Sequence, residues 1–252
     1  MLPRLIICGL EHSGTTLVSE LFRQVPGLDS GFECGVLLNA TPSEFLGDAV
    51  FAKQMLKGWG LTQPDLDMIC AAPDFAGFYA TLMHRAQGLK PGTTSIFDKT
   101  PRYLWKLDEV MQRSSAPVFI TQKDPRAMVA SDFRRAGDVA FDPWYEAYLP
   151  RKHPYVTACY DQFLRHRADP RVCAVPLEDM VFATRATLER MFAHVQTEFD
   201  LKYAFFGQAR FNNVKARAPS AEVVFQYLQD LPPKALTRIE RDFADCSLWF
   251  YR

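Results

Sequence analysis

The sequence carries no excess of either charge: Lys and Arg together number 29, and so do Asp and Glu. A neutral chain generates no global field that would draw it to nucleic acid or to a membrane surface, so any anion site must be local. No apolar run approaches the roughly 20 residues of a membrane span. The amino end lacks the apolar core and small-residue cleavage site of a secretory leader, and a cytoplasmic protein is expected. Cys8, Cys34, Cys70, Cys159, Cys173 and Cys246 are scattered, with no CxxC and no paired spacing, so reduced thiols are expected rather than disulfides or a zinc site. His84, His153, His166 and His194 show no ligand spacing either, and no metal is expected. Repeats, low-complexity tracts and linkers are missing too, which predicts one domain over residues 1–252.

What is present is apolar bulk, 48% of 252 residues, enough for a large α/β core. Leu5–Cys8 is a buried strand, and Leu17, Leu21 and Val25 recur at helical spacing after a short loop. Further strands are expected at Leu28–Phe32, up to about Phe97, at Val118–Thr121 and at Arg171–Val175. Helices are expected over Glu44–Lys57 with Ser43 as its cap, from Asp74 to about Gln87, from Pro101 to about Ser114, and from Asp124 or Pro125 to Arg135. Pro154–His166, Thr184–Val195, Ser220–Gln229 and Pro233–Asp245 complete the set. Residues 58–73 are expected to be mobile or substrate-facing, and the aromatic stretch 136–150 to be a loop. Trp59, Phe75, Phe78, Tyr79, Phe141, Trp144 and Tyr145 are expected mostly in the core, some lining an acceptor pocket. The βα order predicts a mostly parallel central sheet flanked by helices, with ligands beyond the carboxyl ends of the strands.

The loop after the first strand, Gly9 to Thr16 (GLEHSGTT), organises the chain. It points successive backbone N–H groups and the positive end of a helix dipole at one spot, which makes an anion site. The Gly9-x4-Gly14 spacing is that of a P-loop, but position 15 is threonine where a nucleoside triphosphatase or kinase needs lysine. Two more polar clusters follow strands: Asp98-Lys99-Thr100-Pro101-Arg102-Tyr103-Leu104, and Gln122-Lys123-Asp124-Pro125-Arg126-Ala127 with Ser131 beyond.

These three clusters, in this order and with the later Pro176-Leu177-Glu178-Asp179-Met180, resemble the PAPS-dependent sulfotransferases, PAPS being 3′-phosphoadenosine 5′-phosphosulfate. The resemblance implies the P-loop-like sulfotransferase fold and transfer of a sulfuryl group to a hydroxyl acceptor. It places Ser13, Gly14, Thr15 and Thr16 around the 5′ phosphosulfate, and Lys123 and Ser131 on the 3′ phosphate. Ser131 stands eight residues after Lys123, about two helical turns along. The family usually has arginine at position 123; lysine keeps the charge and loses the bidentate fork. Lys215 and Arg217 are candidates for a basic segment closing on the 3′ phosphate. The histidine base of the cytosolic branch is absent, because Pro101 follows Lys99-Thr100. The branch that resembles protein-tyrosine and carbohydrate sulfotransferases uses a glutamate at the end of the next strand, which by position is Glu33; the alternative for Glu33 is a solvated or helix-capping carboxylate. Lys99 is either a cation near the sulfuryl group or a partner of Asp98. His12 stands where the family has lysine or arginine; protonated, it would supply that charge and make turnover fall as pH rises through its titration, and otherwise it only packs. A small-molecule or saccharide acceptor is expected, with peptide tyrosine as the other candidate. A kinase or nucleoside triphosphatase, and a non-catalytic nucleotide-binding module, remain the competing readings.

Overall fold

The computed structural model of the chain describes residues 2–204 and 221–251. Its strands are β1 (Ile6–Gly9), β2 (Leu28–Asp29), β3 (Ser95–Ile96), β4 (Asp98–Lys99), β5 (Val118–Gln122) and β6 (Val172–Pro176). Four of them form a parallel sheet in the order β4-β1-β5-β6, while β2 and β3 make a separate parallel pair. Helices fill the connections: α1 (Thr15–Phe22), α2 (Ala49–Trp59), α3 (Gln63–Cys70), α4 (Phe75–Arg85), α5 (Leu107–Arg113), α6 (Pro125–Arg135), α7 (Phe141–His166), α8 (Leu177–Phe182) and α9 (Thr184–His194). After residue 220 come α10 (Ala221–Phe225), α11 (Tyr227–Asp230) and α12 (Pro233–Asp242).

Successive strand residues face opposite sides of the sheet, and both sides are apolar here. Ile6, Cys8, Val118 and Ile120 enter the larger core with α2 to α7. Leu5, Ile7, Phe119 and Val175 enter the other with Phe22 of α1 and Phe192 of α9. Such two-sided burial is what a parallel sheet covered by helices requires. Ile7 pairs with Lys99 and Gly9 with Thr121, so the carboxyl ends of β4, β1 and β5 emerge side by side.

Several elements differ from the sequence expectation. The single strand expected up to Phe97 is two. The Phe97 N–H donates to Asp29 at 3.1 Å and the Asp98 N–H to Leu5 at 3.1 Å, so the chain changes partner at this buried residue. The helix expected over Glu44–Lys57 is a short 3-10 turn, Ser43–Gly47, followed by α2, whose cap is Asp48 and not Ser43. Residues 58–73, expected to be mobile or substrate-facing, are largely helical: α2 continues to Trp59, and Thr62 and Asp65 form a reciprocal capping box that starts α3. The aromatic stretch 136–150 is also largely helical. Interior prolines at 150 and 154 read as breakers in sequence, yet α7 runs through both, and ring pairs one turn apart line its first two turns. Phe141 stacks on Tyr145 at 5.1 Å and Trp144 on Tyr148 at 4.5 Å. Among the described residues no helix is long and apolar enough to cross a membrane.

Candidate functional site

The loop between β1 and α1 is shaped by close approach and by handedness. A Cβ on Gly9 would stand 2.2 Å from Thr121 Oγ1, so β5 leaves room only for glycine. Gly14 has φ 101, a left-handed conformation that turns the chain into α1 and that side chains rarely adopt. The Ser13 hydroxyl points inward, donating to the Leu10 carbonyl at 2.6 Å and sharing a hydrogen bond with Thr121 Oγ1 at 2.6 Å. It locks the loop to β5. What remains for an anion is the first turn of α1, where the N–H groups of Thr15 and Thr16 have no helical carbonyl to bond, with the half-exposed Thr16 side chain beside them. His12 is left-handed as well, at φ 65. Burial and the neighbouring Arg135 charge hold its imidazole below the ordinary histidine range. Both effects favour the uncharged imidazole.

The second cluster comes from β4 and the loop after β2. The Lys99 ammonium is buried, 3.0 Å from Glu33 Oε1 and 4.5 Å from the centre of the Phe32 ring. Asp98 is not its partner. The Asp98 carboxylate accepts from Tyr79 at 2.6 Å, Tyr103 at 2.7 Å and Thr100 at 2.8 Å. Burial pushes this carboxyl up from its ordinary value, and the three hydroxyls pull it back. Thr100 passes the order on: its hydroxyl accepts from the N–H groups of Cys34 and Gly35, both at 3.1 Å. On the other side Trp59 Nε1 donates to the Phe32 carbonyl at 2.9 Å. Glu33 does not follow a strand directly, since β2 ends at Asp29, yet it is fixed from both flanks and partly exposed.

The third cluster ends β5 and runs along α6. Lys123 is buried, and its ammonium is pushed down to about 8, first by burial and then by the charges of Arg134 and Arg135, against which Glu178 acts. Ser131 accepts from Arg135 Nη1 at 2.8 Å. Glu178 is itself raised by burial and accepts from the Asp124 N–H at 3.0 Å. Arg126 pairs with Asp124 at 2.6 Å and Glu240 at 2.6 Å and donates to the Tyr251 carbonyl. It ties α6 to α12 and to Tyr251. Lys215 and Arg217 lie outside the described residues. The strand register sets Lys99, the loop 12–16 and Lys123 at the neighbouring carboxyl ends of β4, β1 and β5, with Glu33 paired to Lys99 and Ser131 lying within α6. Sequence reasoning missed two cations. Arg135 could have been found as the residue one turn after Ser131; Lys152, 3.1 Å from Glu11, comes from a helix that the prolines conceal.

A parallel sheet whose first strand runs through a glycine-framed loop into a helix, with no lysine in that loop, is a P-loop-like α/β arrangement without the triphosphatase cation. The sequence matches the model of the sulfotransferase family over residues 3–201, and the chain belongs to that family. It is a sulfotransferase. Among solved structures it is similar to the sulfotransferase domain of the Synechococcus PCC 7002 olefin synthase (19% identity, 96% of this chain and 94% of that one, TM-score 0.67). It is also similar to the sulfotransferase domain of the curacin biosynthetic pathway (15% identity, 97% and 98% covered, TM-score 0.59). Mouse sulfotransferase SULT7A1 complexed with PAP, 3′-phosphoadenosine 5′-phosphate, matches at 12% identity, 96% and 83% covered, TM-score 0.50. No curated protein sequence matches the chain.

Proposed function

We propose that the chain, acting as one catalytic unit, moves the sulfuryl group of PAPS to a hydroxyl acceptor by in-line transfer, with Glu33 as general base. The observation that carries this is the Glu33–Lys99 pair, held at 3.0 Å beside the anion loop by the Asp98–Thr100 network. The loop N–H groups of residues 14–16 would hold the 5′ phosphosulfate. Lys123 and Ser131, with the Arg135 fork beside them, would hold the 3′ phosphate; a mouse family member is complexed with PAP. In the transfer, the acceptor O–H gives its proton to the Glu33 carboxylate, the acceptor oxygen bonds to sulfur, and the bond from sulfur to the 5′-phosphate oxygen breaks, releasing PAP. Lys99 is the cation placed to meet negative charge on the transferring group. A small-molecule or saccharide hydroxyl is the favoured acceptor, and transfer confined to tyrosine peptides in an acceptor screen would replace it.

The deciding experiment is a calorimetric titration with PAP, beside ATP with and without magnesium. Tight, metal-independent binding of PAP and weak binding of ATP is the expected result; preference for Mg-ATP would transfer the chain to the kinase reading.

The Lys123 environment adds a pH dependence. Its ammonium must be charged to hold a phosphate, and in the free protein it loses its proton as pH rises through about 8. PAP affinity is therefore expected to be nearly full at pH 7 and to fall by roughly tenfold by pH 9, with proton uptake on binding. Titrations in buffers of different ionisation enthalpy measure that uptake. Lys123→Arg should flatten the profile, and an equally steep profile in that variant would remove Lys123 from the role.

A further inference from the structure

Glu11, Asp132 and Lys152 have no part in the scheme above, and together they join its two ends. Glu11 directly precedes His12 in the anion loop, and Asp132 directly follows Ser131 in α6. The Lys152 ammonium, from α7, lies 3.1 Å from Glu11 Oε2 and 3.5 Å from Asp132 Oδ2. Tyr148, one turn earlier on α7, donates to the same Asp132 oxygen at 2.9 Å. Lys152 and Asp132 are both largely shielded from solvent, so that half of the bridge is less screened than a surface ion pair, whereas Glu11 is its exposed end. Arg135 leans on Asp132 more loosely, at 3.9 Å, and is held by Ser131.

We infer that Lys152 is a positioning residue: through Glu11 on one side and Asp132 on the other it fixes the spacing between the loop that takes the 5′ group and the helix that takes the 3′ phosphate. The inference rests on the assignment of those two ends made above. A ligand carrying both phosphates gains from its second contact only if the two half-sites stand at the matching distance, as with any linked pair of binding events. Lys152 itself touches neither phosphate in this scheme. Its effect is on preference for the doubly phosphorylated nucleotide over each singly phosphorylated one.

The test titrates the full chain with PAP, 5′-AMP and 3′-AMP. Glu11→Ala breaks the tether while removing a negative charge beside an anion site. An electrostatic role alone would make all three nucleotides bind more tightly. Positioning instead predicts that PAP binding weakens by about tenfold, within the range of ordinary site-to-site coupling, while each monophosphate changes by less than about twofold. Lys152→Arg, which can still span the two carboxylates, should retain the preference and guards against a folding defect in the first variant. PAP binding in Glu11→Ala as tight as in the parent, or an equal loss for all three nucleotides, would overturn the inference. A parent protein with no preference for PAP would instead overturn the assignment of the two ends.

Discussion

Glu33→Gln is expected to lower turnover by roughly 10²–10⁴-fold, the span of general-base catalysis, while PAP binding stays nearly intact. The amide keeps the shape of the side chain and a hydrogen-bond acceptor for Lys99 at the present 3.0 Å, but it cannot take the acceptor's proton. Glu33 is anchored through backbone neighbours, Cys34 and Gly35 on Thr100 and Phe32 on Trp59, so the substitution leaves its support in place. Single-turnover rates with a saturating acceptor, paired with PAP titrations, separate the two quantities. Full turnover in this variant would take the base role away from Glu33.

The second large effect is on folding. In Asp98→Ala, the hydroxyls of Tyr79, Tyr103 and Thr100 lose their common acceptor inside the core. Unsatisfied buried groups of this kind cost about 1–3 kcal/mol each, and a net loss of about 3 kcal/mol corresponds to a fall in Tm of roughly 6–12 °C for a chain of this size. Turnover should fall as well, even well below the new Tm, because Thr100 would no longer be oriented toward the Cys34 and Gly35 N–H groups. A melting curve within about 2 °C of the parent would show that Asp98 does not organise this region, since that shift amounts to less than about 1 kcal/mol.

Where pattern is local, the sequence made the fold legible. The β1–loop–α1 unit, β5 with α6, and β6 follow from apolar period and from caps, and the three polar clusters fall at strand ends as a parallel sheet demands. Glu33 was legible only through resemblance, because its distance from β2 hides its support: Trp59 and Thr100 hold it from 27 and 66 residues away in sequence, measured from Phe32 and Cys34. The division of one expected strand at Phe97 is decided by which neighbour each half meets, a tertiary fact. The α7 helix was obscured by Pro150 and Pro154, which local preference reads as breaks and through which the helix nonetheless runs. With α7 concealed, Lys152 could not be placed beside Glu11. The capping box at Thr62 and Asp65, by contrast, was present in the sequence as a local signal for α3.

The cysteines, all free and all buried, give the molecule a built-in clock. A thiol reagent reaches them only when the structure opens, and burial raises both Cys8 and Cys34 well above the usual thiol range, which slows reaction further in the closed state. Cys8 lies in the central strand β1, so its labelling rate reports opening of the sheet. Cys34 is adjacent to Glu33, and its rate reports release of that loop alone. The ratio of the two, read by mass spectrometry, distinguishes local breathing of the Glu33 loop from global unfolding, and a bound nucleotide should slow each clock by an amount set by how far it holds that region shut.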